Sequence, residues 1–129
     1  MAIQLRARLQ VEIKDGPVVN FQSNVFDRTL GPFDEGMGVN LQIPTGAIDQ
    51  PINQNGINFA QLMYIVATQP ILVKFVPQGY TNVTTAAIQL TPNVPMFLAF
   101  RNIIGIFVTN QTGQNCLLTI EAVGTDTLT

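Results

Sequence analysis

The stretch Ile3-Gln4-Leu5-Arg6-Ala7-Arg8-Leu9-Gln10-Val11-Glu12-Ile13-Lys14 alternates apolar and polar residues without a break. A period of two places the apolar set on one face of a pleated strand and the polar set on the other, so the segment reads as a strand with one dry and one wet face. Asp15-Gly16-Pro17 then carries turn chemistry, and the run Val18 to Phe26 resumes with Val19, Phe21 and Val25 in one parity. A three-residue loop pairs Ile13 with Val19, Val11 with Phe21 and Ala7 with Val25, keeping apolar residues opposite one another. A shorter loop slips the register by one residue and reverses the faces, so the longer turn is expected.

Downstream the texture changes. From Leu30 to Phe59 the chain is interrupted by Gly31-Pro32, Gly36, Gly38, Pro44, Gly46, Pro51 and Asn55-Gly56, and only Val39, Leu41 and Ile43 suggest a short strand. Gly36-Met37-Gly38, with no following helix and no lysine, reads as a turn element. A long stretch with little regular structure tends to be functional or to lie against a partner, which makes residues 30–59 the expected contact region. Its candidate interface residues are Phe33, Met37, Ile48, Ile52 and Ile57, to which Arg101 is added as a turn guanidinium able to reach a carboxylate on another subunit.

Gln61 to Thr68 and Ile71 to Val76 are apolar on both parities, which implies burial on both faces, beneath another layer or another subunit. Ala86 to Leu90, Pro95 to Phe100, Ile103 to Thr109 and Asn115 to Val123 complete the strand-like runs. Arg101-Asn102 is expected as a polar turn between two of them. A loop through Gln111-Thr112-Gly113 pairs Val108 with Cys116, Ile106 with Leu118 and Ile104 with Ile120. Turn signals at short intervals and no sustained 3.6-residue period give an all-β fold: a single antiparallel β-sandwich over residues 1–129, jelly-roll-like, with about eight strands and one long irregular region.

Composition narrows the function. Hydrophobic residues make up 47% of the 129 residues and charged residues 11%, so about a quarter of the chain, as Asn, Gln and Thr, must supply the polar surface. Six Lys and Arg against eight Asp and Glu leave a net charge of −2 and no basic stripe for phosphates, so no nucleic-acid partner is expected. The longest apolar run, Leu62 to Ala67, is far short of a spanning helix, and the amino terminus shows no secretory pattern; the expectation is a soluble protein made in a cytoplasm, with no membrane partner.

The chain contains no histidine, and Ser23 is its only serine, which removes Ser-His-Asp and Cys-His catalysis together with histidine-ligated zinc. Cys116 is the only cysteine and reads as a small buried apolar residue. The carboxylates show no spacing that marks a glycosidase pair, and the doublet Asp34-Glu35 lacks the alternate-position ligands of a calcium loop. Asn82-Val83-Thr84 and Asn110-Gln111-Thr112 match the glycosylation triplet by chance in an Asn- and Thr-rich chain. No enzyme, cofactor or metal is expected.

The segments Leu62 to Phe75, Met96 to Asn110 and Leu117 to Gly124 resemble, in texture, the β-rich carboxy-terminal halves of small tailed-bacteriophage virion proteins. These include capsid decoration or cement proteins and neck or tail accessories. The resemblance implies a virion structural protein on the capsid surface, forming a homo-oligomer, with a trimer favoured, that clamps neighbouring major capsid protein subunits. The alternatives are a neck or tail accessory forming a ring and, from the sandwich and the amide-rich loops, a glycan-binding module.

Overall fold

A computed structural model describes residues 3–33, 35–54, 57–79 and 87–125. They are all-β, with no helix among them, and the chain divides into two compact units at Phe33 and Asp34.

The first unit is a two-stranded arm. β1 (Ile3–Leu9) and β2 (Glu12–Asp15) form one side of it, and β3 (Val18–Gln22) and β4 (Phe26–Phe33) form the other. β1 pairs antiparallel with β4, setting Leu5 opposite Leu30 and Ala7 opposite Arg28, and β2 pairs with β3. Ser23 stitches the gap between the two ladders: its amide donates to the Val11 carbonyl at 2.8 Å, and its hydroxyl accepts from the Val11 amide at 2.8 Å. The lone serine is thus occupied by backbone.

The expected three-residue loop is replaced by a two-residue turn, with Asp15 opposite Val18. Gly16 takes φ of 58°, and Pro17, with φ fixed near −65°, follows it, which is the sign change a tight hairpin turn with Gly first requires. On its own this turn would set Ile13 against Asn20. A one-residue bulge between Ile13 and Lys14 restores the apolar pairing, so Ile13 faces Phe21 and not Val19. Val11 and Ala7 likewise meet Ser23 and Arg28 in place of Phe21 and Val25.

The second unit is a seven-stranded antiparallel sheet built from β5 (Glu35–Ile43), β6 (Gln50–Pro51), β7 (Phe59–Ala67), β8 (Leu72–Pro77), β9 (Ile88–Gln89), β10 (Met96–Thr109) and β11 (Cys116–Thr125). Its order is β5-β11-β7-β10-β8-β9, and β6 pairs with the end of β10. One connected core collects Ile43, Met63, Ile65, Val73, Ile106, Val108, Leu118 and Ile120 with the loop residues Ile52, Ile57, Ile71 and Leu90. Cys116 is buried within it, as its apolar surroundings in sequence predict.

Four expectations are corrected here. The region from Leu30 to Phe59 is more regular than its glycines suggest, because β4 reaches Phe33 and β5 spans nine residues with Met37 and Ile43 turned to the core. Gly36-Met37-Gly38 is therefore strand, not turn: Gly36 and Gly38 fall opposite Val123 and Glu121. The two runs flanking Arg101-Asn102 are one strand of 14 residues, β10. Asn102 absorbs the irregularity at φ of 61°, a conformation Asn tolerates better than most residues. Its buried amide donates to Gln78 Oε1 at 3.0 Å and accepts from Gln61 Nε2 at 3.2 Å. Finally, β10 and β11 do not pair. β7 lies between them, with Ile120 opposite Ile65 and Leu118 opposite Ala67.

Candidate functional site

Two features stand out, one in each unit. In the arm, Leu9, Val11, Ile13, Val18, Val19, Phe21 and Val25 are all exposed, Leu9 at 61% and Phe21 at 53%. Phe33 is the one buried side chain among those described for this unit. A two-stranded hairpin has no second layer to bury its apolar face and is marginal alone in water. Single exposed apolar residues are ordinary, but seven on one ribbon form an apolar surface larger than monomers usually leave open.

The arm is braced by an ion pair. Arg6 Nε and Nη2 donate to Asp27 Oδ1 and Oδ2 at 3.0 and 2.9 Å, a bidentate link across β1 and β4. The guanidinium holds the Asp27 carboxyl below its ordinary value of 3.8, with Arg28 adding to the effect, and Arg6 is raised in return. A depressed carboxylate contributes stability that is present above 3.8 and lost as pH falls through the lowered folded value. Both groups face solvent, so the contribution is small and weakened by salt. In a carbon-detected NMR titration, Asp27 is expected to protonate below 3.8 and to move back toward that value in Arg6→Gln.

In the second unit an open depression of about 480 Å³ is lined by four amides, Gln69, Gln89, Gln111 and Gln114, by the hydroxyls of Thr109 and Thr112, and by the apolar Pro70 and Leu72. Gln69 Nε2 donates to Gln114 Oε1 at 3.1 Å across it. Such a lining offers hydrogen bonds to a neutral polar ligand and no group to move a proton at neutral pH. Nearby, Asp49 takes φ of 45° and accepts from Thr109 Oγ1 at 3.4 Å, with Lys74 Nζ at 3.2 Å. This carboxylate is committed to holding the 44–50 loop against β10. Among the described residues no cluster of three His, Cys, Asp or Glu side chains is placed to hold a metal, and no helix is long and apolar enough to cross a membrane.

The candidate interface residues separate. Met37, Ile52 and Ile57 are core side chains of the second unit, and Phe33 is buried as well. Their apolar character serves this chain's own packing, so in this conformation they offer little to a partner. Ile48 is 70% exposed on its loop. Arg101 is a backbone position within β10 and its side chain lies outside what the structure describes, as do Asp34 and the triplet beginning at Asn82. The other triplet is no acceptor: the Asn110 amide is buried and fully bonded within the chain. The arm surface was missed because its alternation predicts a dry face without saying what keeps it dry. Compared with known protein families, curated proteins and solved structures, the chain matches none.

Proposed function

We propose that the protein is a structural subunit of a tailed-bacteriophage virion, a capsid decoration protein that oligomerises and clamps neighbouring capsid subunits. The observation that carries the assembly role is the arm: a ribbon with exposed Leu9, Ile13, Val18 and Phe21 gains stability only against another surface. The virion setting rests on the textural resemblance of the β7–β8, β10 and β11 segments. In this reading β10, whose two halves pair with different neighbours, folds the sheet over itself into the two layers of a jelly-roll-like sandwich. Clamping works by mass action, since a ligand that binds only the assembled shell stabilises it by RT ln(1 + c/Kd) per site, with c the free ligand concentration.

Cryo-microscopy of the native particle tests the role. The expected result is density for this chain in near-stoichiometric ratio with the capsid subunit. A few copies in a ring at one vertex would replace decoration by the neck or tail role.

The amide-lined depression supports a second reading, attachment to a neutral glycan. Calorimetric titration with millimolar neutral sugars checks it: heat that disappears in Gln69→Ala and Gln89→Ala supports the glycan reading, and no heat removes it.

A further inference from the structure

We infer that the arm docks on a second copy of this chain, head to tail, with its apolar face on the outer face of the β5-β11-β7-β10 sheet. The inference rests on the assembly role proposed above and names its partner surface. Charge is divided unequally along the chain. Residues 1–33 carry Arg6, Arg8, Lys14 and Arg28 against Glu12, Asp15 and Asp27, a net of +1, whereas residues 34–129 carry Lys74 and Arg101 against five carboxylates, a net of −3. The arm of one copy is therefore attracted to the body of another.

The local chemistry agrees. On the outer face of the sheet, Gly38, Glu121, Tyr64 and Phe97 stand directly opposite one another on β5, β11, β7 and β10. Phe97 is 47% exposed, and Leu117, also exposed, lies on the same strand as Glu121. A lone acid, unpaired among the described residues, thus sits in a half-apolar face beside a glycine that leaves room above it. The arm carries the opposite charge: Arg28, whose Nη1 donates to the Asp27 carbonyl at 3.0 Å, stands opposite Ala7, on the face that carries Leu5, Leu9 and Leu30. One cation in an apolar ribbon meets one anion in an apolar sheet.

The size is sufficient. A ribbon of two strands about 10 Å wide and about 40 Å long, from a 3.3 Å rise per residue, covers about 400 Å² on each partner. A single arm contact thus buries about 800 Å² in all, and a copy that both gives and receives an arm takes part in two such contacts, about 1,600 Å² together, the size of a stable interface. A head-to-tail contact whose rotation closes makes a ring, the trimer included.

Sedimentation equilibrium of the full chain and its variants tests this. The wild type is expected to associate at micromolar concentration. Phe21→Asp, which disables the arm, and Phe97→Asp, which disables the receiving face, are each expected to be monomeric while keeping the wild-type β spectrum and cooperative melting, since both side chains are exposed. An equimolar mixture of the two is expected to form a heterodimer, weaker than the wild-type assembly because it holds one arm contact where each wild-type copy has two, and no larger species, because one chain still offers an arm and the other a face. Arg28→Glu or Glu121→Arg alone is expected to weaken association about tenfold, and the two together in one chain to recover it. A monomeric wild type overturns the inference and leaves the virion role to the arm's docking on another protein. A mixture that stays monomeric overturns it too, and a Phe97→Asp variant that still associates overturns it in favour of arm-on-arm pairing.

Discussion

Asn110→Ala is expected to destabilise the sheet unit by about 3–5 kcal/mol, read as a lowered urea midpoint at unchanged slope. Asn110 is 0% exposed and lies where the chain leaves β10. Its amide nitrogen donates to the Ile43 carbonyl at 3.0 Å and to the Gln114 carbonyl at 2.8 Å, and its oxygen accepts from the Thr112 amide at 3.1 Å and hydroxyl at 2.7 Å. Its backbone adds a bond to the 44–50 loop on each side, from Gly46 and to Ala47, both at 2.8 Å. One side chain therefore holds together the end of β5, the 110–115 connection and the loop after β5. Alanine takes the side-chain donor from the buried Ile43 carbonyl and the acceptor from the part-buried Thr112 amide, while the Gln114 carbonyl keeps the Thr112 hydroxyl at 3.0 Å, and each group left without a partner costs about 1–3 kcal/mol. Asn110→Asp, with the same shape, is expected to be worse near neutral pH: an ionised carboxylate can only accept, and it would face two carbonyl oxygens.

Gly124→Val is expected to prevent the sheet from closing, and Gly124→Ala to cost about 3 kcal/mol, at the upper end for overpacking. A β-carbon at Gly124 meets the Phe59 carbonyl oxygen, with Ala60 Cα and Ile57 Cγ2 at 3.0 Å. Two of these three are backbone atoms of the partner strand, which cannot rotate away. The site coincides with the irregularity in the β11–β7 ladder between Val123 and Gly124, where the strands approach out of regular step. Gly38 is the internal control: the nearest atom to its added β-carbon is Glu121 Cγ at 3.9 Å, so Gly38→Ala is expected to change the melting midpoint little, within about 0.5 kcal/mol. Equal losses at both positions would sink the steric explanation in favour of a general dependence on backbone freedom.

Strand existence is written locally and is legible. The alternation of Ile3 to Lys14 becomes β1 and β2, and the apolar runs after Gln61 and after Ile71 become β7 and β8 at nearly the boundaries read from them. Pairing is a relation between distant segments and is less legible. Ile120 opposite Ile65 satisfies the same apolar parity as Ile120 opposite Ile104, so parity alone does not reveal that β11 lies against β7 and β5. Glycine misled for a related reason: Gly36 and Gly38 look like breakers in isolation, yet both are accommodated in a ladder that β11 supplies from the far end of the chain. The two-residue turn at Gly16-Pro17 escaped because its register penalty is repaired by a bulge one step away. The candidate surface was hardest. Apolar residues in Leu30 to Phe59 read as a contact surface, but Met37, Ile52 and Ile57 pack into the chain's own core, whereas the arm's equally apolar face is exposed.

The insertion of β11 between β5 and β7 has a consequence for the newborn chain on the ribosome. The arm is local in sequence, and hairpins of its kind form in microseconds, so it is available as soon as Gln22 to Phe33 emerge. β5 has no such partner: Ile43 waits for Cys116, and Glu35 for Gly124. During most of synthesis both edges of a nine-residue strand are open, a template for pairing with neighbouring nascent chains. Shutting that edge falls to β11, made after the other described strands of the sheet, so a message that stalls before Cys116 yields a polypeptide whose arm is finished and whose sheet cannot be.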